Sequence, residues 1–364
     1  MSMNRIVSLA LVAVVACTPV GGERYTRKQA QKSFKKLETP GITVGEFKVS
    51  KIVDGDTIRV DGLDNSLRLL GMDTEETFKS ESNRRAVETD WNAYLKEKRG
   101  KPRPSRIETP MGEIAKKWAK EFFADVVSVR IERDHPGEIR DRFNRYLAYV
   151  IANKGGKWVN YNVEAVRAGM SAYFTKYGYS RRYHNEFVAA QDEARNAKRG
   201  IWSPDPKLMK YPDYPERFEW FEARAQFIEQ FRNEAKDKPN YIDLTHWDAM
   251  KRLEEYVGKE VKIIGVVAEV RYADRGPSRA LLSYRMFHDF PLIFFDRDVL
   301  GQSGLAEWRG EFIVATGVVT DYTNKKSGKK QLQLSIDRAS QIRLSKVPGL
   351  PDPATPTTPT TAGP

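Results

Sequence analysis

Residues Val53 to Thr77 constrain this chain most. They read Val53-Asp54-Gly55-Asp56-Thr57-Ile58, then Leu67-Arg68-Leu69-Leu70-Gly71-Met72-Asp73-Thr74-Glu75-Glu76-Thr77. Asp-Gly between apolar alternations is a hairpin signal. The stretch therefore predicts a β-meander with strands near Glu46–Ile52, Thr57–Val60 and Ser66–Gly71. Acidic side chains sit at two of its turns, and an arginine lies between them.

The rest of the pattern extends this meander into a barrel. A helix is predicted after Thr109-Pro110, with Ile114, Trp118, Phe122 and Val126 at spacings of four. Val127–Glu132 and Arg145–Ala152 read as two more strands, and helices near Asn160–Ala168 and Tyr183–Ala197 complete the unit. Five strands with such helices fit an oligonucleotide/oligosaccharide-binding (OB) barrel. Downstream, Pro215 begins a helical pattern with Phe218, Phe221, Ala225, Ile228 and Phe231 on one face. Thr245 is expected to cap a second helix carrying Trp247, Met250, Leu253 and Val257.

An internal echo follows: Gly258-Lys-Glu-Val-Lys-Ile-Ile-Gly265-Val-Val is matched by Gly310-Glu-Phe-Ile-Val-Ala-Thr-Gly317-Val-Val. A glycine in mid-strand suits the sharp bend of a small closed barrel. With Leu281–Phe287, Leu292–Asp296, a helix-like Val299–Trp308 and Gln331–Asp337, five strands emerge with a helix before the fourth. This resembles a second OB-like barrel. The fold class is α+β: a barrel with helices, a helical linker, and a second barrel.

A second arginine-bearing segment reads Asp141-Arg142-Phe143-Asn144-Arg145-Tyr146-Leu147-Ala148-Tyr149. Carboxylates that hold a divalent cation, with arginines that grip phosphate, are what phosphodiester hydrolysis requires. Singly, each aspartate is more often a turn residue and each arginine a solvated face. In this order and spacing the three motifs resemble the staphylococcal (thermonuclease-type) nuclease family, over roughly residues 45 to 203 and closing on Gly200-Ile201-Trp202-Ser203. Glu75 stands where the family usually has proline, and Asn144 where it usually has glycine; either departure could shift a loop.

The resemblance implies the following roles. Asp56 and Asp73 match the calcium-ligating aspartates, Thr74 the residue adding a backbone carbonyl, and Asp54 a supporting carboxylate behind them. Glu76 matches the proposed general base, while Arg68 and Arg145 match the phosphate-binding pair. Arg142 and Phe143 match neighbours that contact a nucleotide phosphate. Tyr173, Tyr177 and Tyr179 fall where base-stacking tyrosines lie, with core packing as the equal alternative. His135, His184, His246 and His288 are scattered without metal-ligand spacing, so packed or solvated roles are expected. There is no glycine-rich phosphate loop and no serine elbow.

Charge and the two ends complete the reading. Sixty-one Lys and Arg against 49 Asp and Glu give a net charge of +12, which favours polyanions but also anionic membrane surfaces. The segment between Glu76 and Glu113 looks about twenty residues longer than the family pattern. Its basic residues (among them Arg84, Arg85 and Arg106) form either a rim for substrate or a solvated, partly helical loop. Met1 to Ala16, a basic head and a short apolar run, reads as a secretory signal. Val14-Val15-Ala16-Cys17 resembles a lipobox, in which Cys17 is acylated.

The expected division is a signal at 1–17, a basic tether at 18–42, the nuclease-like unit at 43–205, a helical linker at 206–254, the second barrel at 255–346 and a disordered Pro/Thr-rich tail at 347–364. The expected function is an exported, lipid-anchored, Ca²⁺-dependent endonuclease on DNA or RNA, preferably single-stranded, at the periplasmic or extracellular face of the envelope and leaving 3′-phosphate ends. The alternative is a non-catalytic nucleic-acid-binding envelope lipoprotein with a degenerate nuclease domain. No protein partner is identifiable.

Overall fold

The computed structural model describes residues 41–98, 104–285, 288–323, 328 and 330–350. Cys17 with the rest of the signal, most of the tether, and the tail beyond 350 lie outside the described residues. Among the described residues, no helix is long and apolar enough to cross a membrane.

The first barrel forms as the meander predicts. Strands β1 (Thr43–Phe47) and β2 (Val49–Ile52) are consecutive halves of one bent strand, followed by β3 (Thr57–Val60) and β4 (Leu67–Leu69). β2 pairs antiparallel with β3, and β3 with β4. β4 then runs parallel to β6 (Tyr146–Lys154), β6 antiparallel to β5 (Val129–Glu132), and β5 back to β1. The path returns on itself, so the sheet closes around Ile58, Leu67, Leu69, Ile131 and Val150. A short β7 (Lys157–Asn160) extends β6.

Helices α1 (Glu81–Thr89) and α2 (Trp91–Lys98) occupy the insertion, and α3 (Pro110–Phe122) follows them. The Thr109 side chain caps α3 by accepting from Gly112 N at 3.1 Å, and Pro110 occupies its first turn. Trp118, Phe122 and Val126 of the expected stripe pack against the barrel core, while the fully buried positions are Met111, Ala115 and Ala119 and Ile114 lies at the exposed edge. Small residues let the helix lie close to the chain beneath it. Helices α4 (Tyr161–Arg167) and α5 (His184–Asn196) complete this half.

Helix α6 (Tyr214–Glu234) departs from the single apolar face expected of a linker. It buries Phe221 and Ala225 as expected, but also Arg217, Arg224 and Phe227. The reason is its position between two barrels. Phe221 meets Phe174 edge-on at 4.7 Å on one side, while Phe227, Ile228 and Phe231 pack on Ile264, Phe312 and Val314 on the other. Within the rest of the expected linker, β8 (Tyr241–Asp243) pairs parallel with the first strand of the second barrel. Thr245 does not cap a helix: its hydroxyl donates to Asp243 Oδ1 at 2.7 Å, and α7 (Ala249–Glu254) starts after Asp248.

The second barrel comprises β9 (Glu260–Arg271), β10 (Ser278–Arg285), β11 (His288–Phe294), α8 (Arg297–Gln302), β12 (Phe312–Thr323) and β13 (Lys330–Ser335), with β14 (Ile342–Leu344) beside β12. Its path β9-β10-β11-β13-β12-β9 closes, with β11 and β13 parallel. That is the connectivity of the first barrel, and both are OB barrels. The two echoed segments pair with each other, Gly265 opposite Ile313 and Gly317 opposite Val261. A Cβ on Gly317 would lie 2.8 Å from the Ser335 carbonyl oxygen, so close strand approach demands glycine there. Val347, expected to begin the tail, is 2% exposed in this core, with Leu350 packed against it.

Candidate active site

The turn before β3 and the end of β4 bring the acidic residues to one end of the first barrel. Leu69 N donates to Asp56 O at 3.1 Å and Asp56 N to Asp54 Oδ1 at 3.3 Å, which fixes the first turn against β4. Asp73 is held by Ser171 Oγ, which accepts from its backbone N at 2.8 Å. Between them lies Arg68, 3% exposed. One Nη donates to Asp56 Oδ2 and the other to Asp73 Oδ1, so the two carboxylates stand a guanidinium's width apart.

Glu76 enters the same cluster from above. Lys79 Nζ donates to Glu76 Oε2 at 2.6 Å, and Arg106 bridges Glu76 Oε1 (3.4 Å) and Asp73 Oδ1. Of the insertion's basic residues, Arg106 therefore does reach the acidic cluster, while Arg84 and Arg85 pair with Glu81 on the surface. The backbone of Glu76 is pinned by α3. Thr109 N donates to Glu76 O at 3.0 Å, residues 76 and 108 form a parallel bridge, and a Cβ on Gly112 would lie 2.3 Å from that same oxygen.

The electrostatics separate the two neighbouring aspartates. Burial, then the charges of Asp56 and Glu76, push the Asp54 carboxyl up to about 7. Burial acts on Asp56 in the same sense, but Arg68 and hydrogen bonds from Asp54 and Thr57 outweigh it and hold Asp56 below the usual carboxylate range. Asp56 is thus a permanent anion beside a carboxyl that holds its proton readily. Hard carboxylate oxygens are the type that suits a Ca²⁺-type cation, and Asp56, Asp73 and the Thr74 carbonyl are the residues that the family resemblance implies would hold it.

Arg145 is presented by a different device. Its Nε and Nη2 both reach Asp141 Oδ2, at 2.8 and 2.7 Å. Asp141 Oδ1 accepts from the backbone N of Phe143 and of Arg145, both at 2.9 Å. Asn144 closes this loop at φ 68°, the left-handed region that asparagine tolerates and glycine favours. The departure at Asn144 therefore keeps the turn. Phe143 is 54% exposed, with the guanidinium carbons of Arg142 and Arg145 4.8 and 5.6 Å from its ring centre.

The departure at Glu75 is a tie to the downstream chain. Its Oε1 accepts from Tyr211 N (2.9 Å) and the Tyr214 hydroxyl (2.8 Å), and its Oε2 from Thr109 Oγ1 (2.5 Å). Burial pushes this carboxyl from 4.5 up to about 7 despite those three donors. The folded state therefore keeps a proton that the unfolded chain releases. The resulting stability is full below pH 4.5, is lost as pH rises through 7, and amounts to about 3 kcal/mol. Glu75→Gln keeps the shape and removes the titration. Its urea midpoint, relative to the parent's, is expected to rise between pH 5 and pH 8; an equal difference at both pH values would show that Glu75 does not titrate in that window.

Lys176 carries no local sequence signal, whereas its neighbour Tyr177 is one of the three tyrosines the resemblance singles out. Lys176 lies within electrostatic reach of Asp73 and Arg68, and burial, then Arg224 and Arg106, push its ammonium down to about 7. Tyr177 lies within reach of Asp141, Arg68, Arg145 and Arg106 together; burial and Asp141 raise its hydroxyl. Tyr173, by contrast, is core rather than stacking platform. Its ring stacks on Phe187 at 4.7 Å, and its hydroxyl accepts from Ser180 N at 2.8 Å. Tyr179 turns to Glu222 and His184.

The histidines are not all scattered. His135 and His246 stack face to face at 4.4 Å and 15°, beside the buried Glu138, and the three offer ligand atoms within 4.8 Å of one another. His135 Nδ1 already accepts from Gly137 N at 3.0 Å, and His246 Nε2 lies 3.7 Å from Glu138 Oε1. Arg181 and Arg232 already flank Glu138, each at 3.6 Å. The group ties the segment between the barrels to the first one: Trp247 N donates to Gly137 O at 2.7 Å.

A family model described as Staphylococcal nuclease homologue matches residues 66–204, which takes in Arg68, Asp73, Glu76 and Arg145 but begins after Asp56. The chain is similar to an uncharacterized protein of Methanocaldococcus jannaschii, 31% identical over 166 residues, 43% of this chain and 70% of that one. It is also similar to the thermonuclease of Staphylococcus hyicus, 28% identical over 200 residues, 54% of this chain and 98% of that one. An endonuclease of Bacillus subtilis is 27% identical over 207 residues, 55% of this chain and 14% of that protein.

Proposed function

We propose, on the premise that this chain belongs to the staphylococcal nuclease family, that it is a calcium-dependent endonuclease cutting DNA or RNA and leaving 3′-phosphate ends. The observation that carries this reading is the buried Arg68 fork between Asp56 and Asp73, with Glu76 drawn to the same point by Arg106 and Lys79. A degenerate barrel would have no reason to keep every member of so costly a charge cluster.

Bound calcium would supply Lewis-acid polarisation of a phosphate oxygen. Glu76 Oε accepts the proton of the attacking water, whose oxygen bonds to phosphorus. Arg68 and Arg145 bind the non-bridging oxygens as negative charge builds on them. The bond from phosphorus to the 5′ oxygen breaks, and that oxygen takes a proton from solvent, leaving a 5′-hydroxyl and a 3′-phosphate.

The test is incubation of the protein with single-stranded DNA and RNA in calcium or in chelator. Cleavage in calcium alone supports the reading. Undiminished cleavage in excess chelator removes the metal, and binding without cleavage in any divalent cation supports the non-catalytic alternative.

We also propose export and anchoring through acylated Cys17. A single acyl chain holds a protein at a membrane only marginally, so stable anchoring rests on the several chains a lipoprotein carries. Cys17→Ser is expected to shift the protein into the soluble fraction. Mature protein beginning at any residue other than Cys17 would refute the anchor.

A further inference from the structure

Beside Asp141, the residue that holds Arg145, opens a cavity of about 280 Å³ with walls from three parts of the chain. The first barrel supplies Arg142, Phe143, Lys176 and Tyr177, α6 supplies Trp220 and Arg224, and the second barrel supplies Ser283, Tyr284 and Arg309 to Phe312. That size lies near the lower end for small-ligand sites.

The wall carries five arginines and Lys176, whose ammonium is only partly charged at neutral pH, against four Asp or Glu. The acids are all engaged, two of them by arginines of the same wall. Asp141 holds Arg145, Glu311 pairs with Arg224 at 2.6 Å, Glu138 is flanked by Arg232, and Asp243 accepts from Thr245. Aromatic rings interleave with the cations: Phe143 and Tyr177 on the nuclease side, Trp220 and Tyr284 opposite. Rings for bases and cations for phosphates are the surface that holds a single nucleic-acid strand with little regard to sequence. An acidic peptide would use the cations and leave the rings idle.

The spacing across the cavity is set rigidly. Arg224 Nε donates to Glu311 Oε2 at 2.7 Å, its guanidinium carbon lies 3.9 Å from the Trp220 ring centre, and Phe312 packs against Phe227 and Phe231 of α6. The second barrel faces the loop that carries Arg145.

We propose that this cavity binds a nucleotide adjoining the scissile phosphate, with Tyr284 and Arg309 of the second barrel forming its far wall. The inference rests on the nuclease reading for the word scissile, but nucleotide binding stands without it. The Arg142 to Phe143 side matches the family's phosphate-contacting segment, whereas Tyr284 and Arg309 lie outside the residues matched by the family model. The consequence is that the second barrel completes the substrate site.

The experiment uses the full chain and its Tyr284→Ala and Arg309→Ala variants. Binding of a fluorescent single-stranded oligothymidylate is measured by anisotropy in calcium, and KM is measured on that oligonucleotide and on a thymidine 3′-phosphodiester that lacks the neighbouring nucleotide. Tyr284→Ala is expected to weaken oligonucleotide binding about tenfold, the scale of one lost stacking contact. KM should rise more on the oligonucleotide than on the short ester. Arg309→Ala, at an exposed position that also donates to Ala268 O at 3.0 Å, should act in the same direction with a shallower salt dependence. Binding within twofold of the parent in both variants overturns the proposal, as does an equal rise in KM on both substrates. If the parent cleaves nothing, the nuclease reading fails while the anisotropy arm still decides the cavity.

Discussion

Arg145→Lys is expected to lower kcat on single-stranded DNA by about 10²–10³, the scale of one lost preorganised contact to the transition state. The fork is what the substitution removes. Two guanidinium nitrogens share Asp141 Oδ2, so the group is aimed before substrate arrives. A lysine keeps the charge but makes one contact and rotates about it. Asp141 keeps its two backbone donors in the variant, so the loop and overall stability should hold. Strand binding should fall far less than kcat, because many cations share it. A variant that loses binding and turnover in equal proportion would make Arg145 a simple anchor. Arg68 is the poorer place to ask the question: altering it leaves the buried Asp56 without its cation and Asp73 with Arg106 alone, which mixes folding with chemistry.

The largest effect on stability is expected at Glu311. Its carboxylate and the Arg224 guanidinium are 1% and 3% exposed, and their 2.6 Å contact lies between α6 and the second barrel. Glu311→Ala leaves a buried cation without its counter-charge, at a cost of about 3–5 kcal/mol. Arg224→Met with Glu311→Leu removes both charges and fills the space, and should recover most of that loss. Chemical denaturation followed by tryptophan fluorescence reads the result, since Trp220 lies against the pair. A single variant within 1 kcal/mol of the parent, by the about 1.4 kcal/mol per tenfold scale, would mean water reaches Arg224 freely.

Local signals carried the parts of the fold that local chemistry decides. Thr109-Pro110 marks the start of α3 because a capping hydroxyl and a fixed φ act on the next turn only. The spacing of Asp56, Arg68, Asp73 and Glu76 was legible because two short strands bring them together. Other features depend on chain far away. β8 is a strand because β9 offers it a parallel edge, and three residues carry no periodicity of their own. The arginines buried in α6 look like solvent positions until a second barrel covers them. His135 and His246 lie too far apart for any spacing rule, and Lys176 becomes part of the charge cluster only through folding. On α3 the expected Trp118 and Phe122 do pack on the core, but the fully buried positions are Ala115 and Ala119, since alanine, which weighs little in a pattern of large residues, is what close packing uses there.

The pinning of Glu76 to Glu108 and Thr109 has a practical consequence. The inserted segment leaves and re-enters the barrel at one point, so its length is isolated from the position of Glu76. Doubling a flexible loop adds only about 0.6 kcal/mol of closure cost. The exposed turn at 88–90 between α1 and α2, helices that pack through Val87 and Tyr94 on Ile107 and Tyr211, is therefore a natural graft point. A fluorophore or small reporter domain fused there would sit within sight of the bound strand and leave the pinned junction intact, making the insertion a ready socket for watching substrate arrive.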